Sequence, residues 1–139
     1  MEQQIAFYRP FALSAMRISL GLVIFSFGTA KIFSFHSGQF TPPPGSLPWL
    51  AGLIELIVGF FFVIGFQTRI KVFVLSGQMP VAYSMAHLPM SFFPTENAGY
   101  AAAVFAFVFF YFVFAGAPKF STTKSRKLLN FGVNRRSGA

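Results

Sequence analysis

The chain has 139 residues, which is enough for one domain; 55% of them are hydrophobic and only 10% are charged. This composition, with a mean hydropathy of +0.63, excludes an ordinary soluble domain, which needs a polar exterior. The absence of cysteine excludes thiolate metal sites, iron–sulfur ligation and thiol redox chemistry in this chain. The net charge of +8 does not indicate nucleic acid as a partner, because most Lys and Arg residues flank apolar runs or follow Gly116.

Four apolar runs predict four membrane-spanning helices, at about residues 11–33, 47–66, 70–88 and 98–115. Each run is close to the length that crosses a bilayer as a helix. The predicted fold is therefore all-α, an integral membrane four-helix bundle whose main partner is the lipid bilayer. We assign residues 1–118 to this transmembrane domain and residues 119–139 to a basic cytoplasmic tail.

The first span carries small and polar residues at helical spacing, and they predict one inward face: Ser14, Arg17, Gly21, Gly28 and Lys31. Arg17 either has an interior partner or extends to the cytoplasmic headgroups, and Lys31 lies near the outer interface. Arg9 and Arg17, the apolar run and the small residues 28–30 also resemble a signal peptide, so cleavage of this segment is an alternative.

The second span contains Glu55 near its middle, on one helical face with Gly52 and Gly59. A carboxylate at this depth is costly and needs a partner, a proton or a water-filled cavity. Counting the helical rise places Arg17 roughly 10 Å from Glu55 along the membrane normal, so an Arg17–Glu55 ion pair is possible.

The third span has a polar stripe of its own, formed by Ser76, Pro80, Tyr83 and His87. The same counting places Tyr83 at the depth of Glu55, and Pro80 predicts a kink. We expect the stripes of the first three spans to converge on one polar interior. In the following loop, Asn97 is expected to cap the N-terminus of the fourth helix.

The orientation follows from the basic residues, because short loops rich in Lys and Arg stay in the cytoplasm. Loops 34–46 and 89–97 contain no Lys or Arg, whereas basic residues precede the first span, flank the 67–69 connection and follow the fourth span. Both termini are therefore predicted to be cytoplasmic.

Several segments resemble the DoxX family of small four-helix bacterial membrane proteins, over about residues 12–117. They are "MRISLGLVIFSFGTAKIF", "AGLIELIVGFFFVIGFQTRI" with Glu55, His87 late in the third span, and "FPTENAGYAAA". The resemblance implies a multi-pass protein of the bacterial cytoplasmic (inner) membrane. Some relatives are subunits of a thiosulfate:quinone oxidoreductase or partners in membrane redox complexes, which implies a membrane or soluble redox partner.

This resemblance makes an accessory or quinone-handling subunit of a membrane redox system the leading hypothesis. Glu55, Tyr83 and His87 are the candidate catalytic residues, because they could donate hydrogen bonds or protons to quinone carbonyls. Arg17, Lys31 and Asn97 are the candidate substrate-binding residues; Lys31 could attract an anion such as thiosulfate. No metal site and no intrinsic cofactor are predicted, and a bound quinone is the one candidate ligand of this kind. Whether the chain is part of an enzyme stays open.

Two alternatives remain at this point. The chain could be a non-enzymatic scaffold whose buried Arg17–Glu55 pair holds the bundle while its aromatic exterior docks a partner. It could also be a small proton or solute transporter, which with four spans would need to form a homo-oligomer.

Overall fold

The computed structural model describes residues 2–35, 41–66 and 68–115, and it is helical with no strand in these ranges. The helices are α1 (Glu2–Phe33), α2 (Leu47–Ile64), α3 (Thr68–Ala82) and α4 (Tyr100–Ala115), and a π-helical turn at Tyr83–His87 continues α3. The all-α prediction is confirmed for these residues. The predicted basic tail, 119–139, lies outside them.

Two of the helices are long and apolar enough to cross a membrane, over Phe7–Phe33 and Leu47–Ile64, and Tyr100–Ala115 is a shorter apolar helix. Helix α1 extends beyond the predicted first span, because it begins at Glu2 and passes through Pro10 before reaching residue 11. A proline costs a helix one hydrogen bond and some strain, and here it does not end the helix.

The ends of α2 follow from local sequence. The Ser46 hydroxyl accepts a hydrogen bond from the Trp49 backbone N–H at 3.4 Å, and Pro48 lies in the first turn, where its missing N–H leaves no bond unmade. Gly65 ends the helix in the left-handed region with φ 74°. Its N–H donates to Phe62 O and that of Phe66 to Phe61 O, so the last carbonyls are satisfied.

The irregularity expected at Pro80 falls one turn later. The Leu88 N–H donates to Tyr83 O at 2.9 Å, which is the wide hydrogen bond of a π-turn. The Ser84 hydroxyl donates to Pro80 O at 2.8 Å. The helix therefore continues to His87 with one widened turn.

The fourth helix begins two residues later than predicted, at Tyr100 instead of residue 98. Ala98 has a φ of 56°, outside the helical region. Asn97 is not in the capping position; its Oδ1 accepts from Gly99 N–H at 2.8 Å, which forms the turn before the helix.

The core lies between all four helices. Phe62 of α2 contacts Phe109 and Phe112 of α4 edge to face, with ring centroids 5.9 and 5.4 Å apart. The remaining buried apolar side chains of this core are Ile24, Val58, Val72, Leu75 and Met79.

Helices α1 and α2 pack with their backbones in contact along Gly21, Gly28, Gly52 and Gly59, which we call the glycine seam. A Cβ atom on Gly59 would lie 2.7 Å from Phe25 N, and one on Gly21 would lie 2.7 Å from Val63 Cγ2. A Cβ on Gly28 would meet the backbone N of Leu56. The expected inward faces of the first two spans are confirmed, and the seam sets the register of the two helices.

Candidate functional site

Glu55 is the centre of an ion-pair cluster that joins three helices. Lys31 Nζ of α1 lies 2.8 Å from both carboxylate oxygens, Oε1 and Oε2. From α3, the Gln78 amide Nε2 donates to Glu55 Oε1 at 3.1 Å and to the backbone oxygen of Ala51 at 3.3 Å. The buried acid is therefore neutralised by a cation and held by an amide.

Helix geometry explains this cluster. Side chains lean toward the N-terminus of their own helix, and α1 and α2 run in opposite directions through the seam, so Lys31 and Glu55 lean toward each other. Gln78 of α3 and Glu55 of α2 are nearly equally far in sequence from the short connection at 65–67, so an antiparallel pair of helices brings them to about one level. The positions of the three residues in the sequence and the directions of their helices together determine the site.

The acidic member of the cluster is buried, and the basic member is partly exposed. The Glu55 side chain is 4% exposed, whereas that of Lys31 is 29% exposed. The long apolar stem of lysine lets its ammonium reach the rim of the bundle while it neutralises the acid below. A ligand that needs the Glu55 carboxylate would have to displace Lys31 or Gln78.

The Arg17–Glu55 pair is corrected by the structure, because the ion-pair partner of Glu55 among the described residues is Lys31. The seam places Gly28 level with Glu55, since Gly28 abuts Leu56. Arg17 lies about 16 Å from Gly28 along α1, toward the N-terminus of that helix, and is therefore near the C-terminal end of α2. Its side chain is buried, at 2% exposure, as expected for an interior position and not for one reaching the headgroups.

The second cluster fastens the α3–α4 loop to the π-turn, and we call it the loop-anchoring cluster. Tyr83 OH donates to Phe92 O at 2.7 Å and accepts from Asn97 Nδ2 at 3.0 Å. Asn97 Nδ2 also donates to Ser91 O at 2.7 Å. His87 Nδ1 lies 2.8 Å from Asn97 O and donates to it, because a carbonyl oxygen only accepts.

The structure does not bring the three candidate catalytic residues together. Tyr83 and His87 bond the loop, and neither bonds Glu55 among the described residues. The expected convergence of three stripes is therefore wrong for the third. The buried face of α3 is instead Val72, Leu75 and Met79, with Pro80 exposed.

The candidate substrate-binding residues are also apart. Lys31 belongs to the ion-pair cluster and Asn97 to the loop-anchoring cluster, where it is buried at 1% exposure. Arg17 lies about 21 Å from Lys31 along α1. Their binding roles stay predictions.

A groove of about 430 Å³ lies between α3 and α4, on the face that the third stripe lines. Its walls are mainly apolar, and its hydroxyls donate to backbone oxygens: Ser76 to Phe73, Ser84 to Pro80 and Tyr83 to Phe92. The lining residues are Ser76, Pro80, Tyr83, Ser84, Ala103, Ala106, Phe107 and Phe110. The groove has the volume of a small-molecule site and no spare hydroxyl donor.

Gln78 is the site residue that sequence reasoning missed. Serine hydroxyls can bond a carbonyl of their own helix, as Ser76 does with Phe73 O, so they need no partner on another helix. The Gln78 amide instead bonds across to α2. A glutamine within an apolar run was the available signal.

Comparison with known proteins now decides the family, because the sequence model of the DoxX family matches residues 12–88. The chain belongs to the DoxX family. The match contains Lys31, Glu55, Gln78, Tyr83 and His87, and it ends before α4. DoxX membership and the two long apolar helices indicate a membrane protein.

A relative from Haemophilus influenzae is 36% identical in an alignment of 117 residues that covers 79% of this chain and 87% of the relative. It is described as an uncharacterized protein, so it carries no activity over to this chain. None of the solved structures matches the chain.

Proposed function

We propose that this DoxX protein crosses the bacterial inner membrane four times, with both termini in the cytoplasm. Support comes from the outward faces of the helices, where large apolar side chains such as Phe60, Phe73 and Phe107 are 51%, 63% and 78% exposed. Lipid accepts such a surface and water does not. The positive-inside rule supplies the orientation.

Within that membrane the proposed role is an accessory subunit of a redox system that binds a quinone and leaves the electron transfer to its partner. The groove between α3 and α4 carries this proposal. It opens on the face of the bundle that would meet lipid, and Phe107 and Phe110 provide aromatic walls. A quinone ring could pack against these rings, with its apolar chain lying along the helices.

The hydrogen-bonding pattern favours binding over chemistry. The three groove hydroxyls already donate to backbone oxygens, and the Glu55 carboxylate is occupied by Lys31 and Gln78. A general acid must have a proton that can reach the substrate. The groove therefore suits a quinone held by packing.

A groove-filling substitution tests this role. In lipid nanodiscs, a ubiquinone or menaquinone analogue should raise the unfolding temperature of the native protein, and Ala106→Leu should abolish most of that shift by filling the groove. Ala15→Leu, an exposed site on α1, should keep the shift. If the native protein shows no shift, or if Ala106→Leu retains all of it, the groove does not bind quinone.

The second candidate function is a non-enzymatic scaffold that docks a larger membrane protein. The ion-pair cluster favours it, because one buried carboxylate ties α1, α2 and α3 together in a closed arrangement. Purification in mild detergent from the native host, followed by mass spectrometry, separates the candidates. A stoichiometric protein partner without quinone supports the scaffold, and bound quinone supports the first proposal.

A further inference from the structure

The α3–α4 loop lies beside the last turn of the preceding helix, not beyond it. Phe92 O accepts from Tyr83 OH, and Asn97 O accepts from His87 Nδ1. Gly99 is so close to the Tyr83 ring that a Cβ on it would lie 2.6 Å from Cε2. The loop therefore shares the depth of the π-turn.

Helix lengths place that depth inside the bilayer. Thr68–His87 is about 30 Å long, close to the thickness of a hydrocarbon core. The 16 residues of α4 span only about 24 Å. In the proposed four-span arrangement α3 begins and α4 ends on the inner side, so the shorter α4 leaves the outer part of the hydrocarbon thickness beside α3 to the loop.

The loop backbone is hydrogen-bonded in a way that suits an apolar environment. The oxygens of Ser91, Phe92 and Asn97 accept from side chains. Phe93 O accepts from the N–H groups of Glu96 and Asn97, and Phe93 N–H donates to Ser91 Oγ. Irregular backbone enters a bilayer only when such groups are satisfied within the protein.

The large exposed side chains of the loop are apolar, and the exposed polar residues Thr95 and Glu96 lie at its far end, before Asn97. Met90, Phe92 and Phe93 are 72%, 74% and 60% exposed, and the Glu96 carboxylate accepts from Ser91 Oγ at 2.7 Å. Phe and Met lack the polar group that keeps Trp and Tyr at the headgroup level. A rigid loop with these side chains outward matches the boundary between headgroups and acyl chains.

We propose that loop 89–97 is a membrane-inserted element, with Met90, Phe92 and Phe93 embedded in the acyl chains of the outer leaflet. The inference rests on the four-span proposal. The loop-anchoring cluster serves this insertion, since Tyr83, His87 and Asn97 bond three loop carbonyl groups, those of Phe92, Asn97 and Ser91, that water would otherwise hydrate.

Single cysteines test the depth of the loop directly, because the chain has none of its own. Spin labels at Phe92→Cys and Phe93→Cys in proteoliposomes should relax more with oxygen, which concentrates in lipid, than with a water-soluble nickel chelate. Phe107→Cys on α4 is the lipid reference, and Thr41→Cys in the α1–α2 loop is the aqueous reference; both residues are exposed.

The pattern of results distinguishes failure of the loop inference from failure of the four-span proposal. Nickel-accessible labels at 92 and 93, with a lipid-exposed label at 107, would overturn the loop inference and leave the four spans standing. An aqueous label at 107 would refute the spans. Labels at 92 and 93 that neither reagent reaches would show a protein contact and overturn lipid insertion.

A second measurement, by tryptophan fluorescence, tests the same inference if the cysteine variants do not fold. Phe92→Trp in a Trp49→Phe background should be quenched by lipids brominated near the top of the acyl chain more strongly than by acrylamide. Trp49 is the only tryptophan, so the signal reports one position. Stronger quenching by acrylamide would contradict insertion.

Discussion

Lys31 and Glu55 show how the direction of a side chain decides an ion pair inside a helical bundle. Lys31 lies near the C-terminal end of α1, so its stem leans back into the bundle, where both carboxylate oxygens lie 2.8 Å from Nζ. The two members are unequally buried, with 29% of Lys31 and 4% of Glu55 exposed. Removing Lys31 and removing Glu55 should therefore lower the free energy of unfolding by different amounts.

We expect Lys31→Met to destabilise the protein by about 3–5 kcal/mol, because it leaves a buried carboxylate without its cation. Glu55→Gln should cost less, since the partly exposed ammonium of Lys31 can move outward to the headgroups. The measurement is unfolding in mixed micelles by titration with SDS, followed by circular dichroism.

The double variant provides the control for this prediction. Lys31→Met with Glu55→Gln should be more stable than Lys31→Met alone, because no unpaired charge remains. Equal stability of the native protein and Lys31→Met would show that the pair does not hold the bundle.

Sequence predicts that Glu55 faces inward among groups able to neutralise it, and the structure agrees. The choice of Arg17 failed because depth was counted from the ends of apolar runs, whereas the true register comes from contacts such as Gly28 with Leu56. The Gln78 side chain reaches across to α2, whereas the Ser76 hydroxyl bonds a carbonyl of its own helix. The sequence alone does not show which of these two faces of α3 is buried.

At the scale of elements, the glycine seam makes α1 and α2 a close pair. A Cβ on Gly59 would approach Phe25 N to 2.7 Å, whereas one on Gly77 of α3 would meet nothing within 4 Å. An alanine would therefore meet the backbone of a neighbouring helix at position 59 and open space at position 77.

We expect Gly59→Ala to lower the free energy of unfolding by about 1–3 kcal/mol, the usual cost of overpacking. Gly77→Ala should be neutral or stabilising by up to about 1 kcal/mol, because alanine favours the helix. Thermal unfolding of both variants in the same detergent measures the contrast. A Gly59→Ala protein as stable as Gly77→Ala would contradict backbone contact at the seam.

Element boundaries were predictable where the sequence holds a specific terminating signal. Ser46, Pro48 and Gly65 bound α2 within two residues of the prediction. The start of α1 was not predictable from hydropathy, because the helix extends beyond the apolar run to Glu2. The π-turn was also missed, since a proline predicts an irregularity but not its form.

For the whole molecule, the proposed orientation makes the α1–α2 loop accessible from outside the cell and both termini accessible from the cytoplasm. In intact spheroplasts, Thr41→Cys should react with a membrane-impermeant maleimide. A green fluorescent protein fused after Ala139 should fluoresce, because it does so in the cytoplasm, and an alkaline phosphatase fusion there should be inactive. An active phosphatase fusion would refute the cytoplasmic C-terminus.

The contact between α1 and α2 has a consequence for biogenesis. These two helices leave the ribosome one after the other, and their seam and their charge pair need no later part of the chain. Glu55 can thus enter the translocon already matched with Lys31, as a helical hairpin. Gln78 arrives afterwards and adds its amide to a carboxylate whose charge is already balanced.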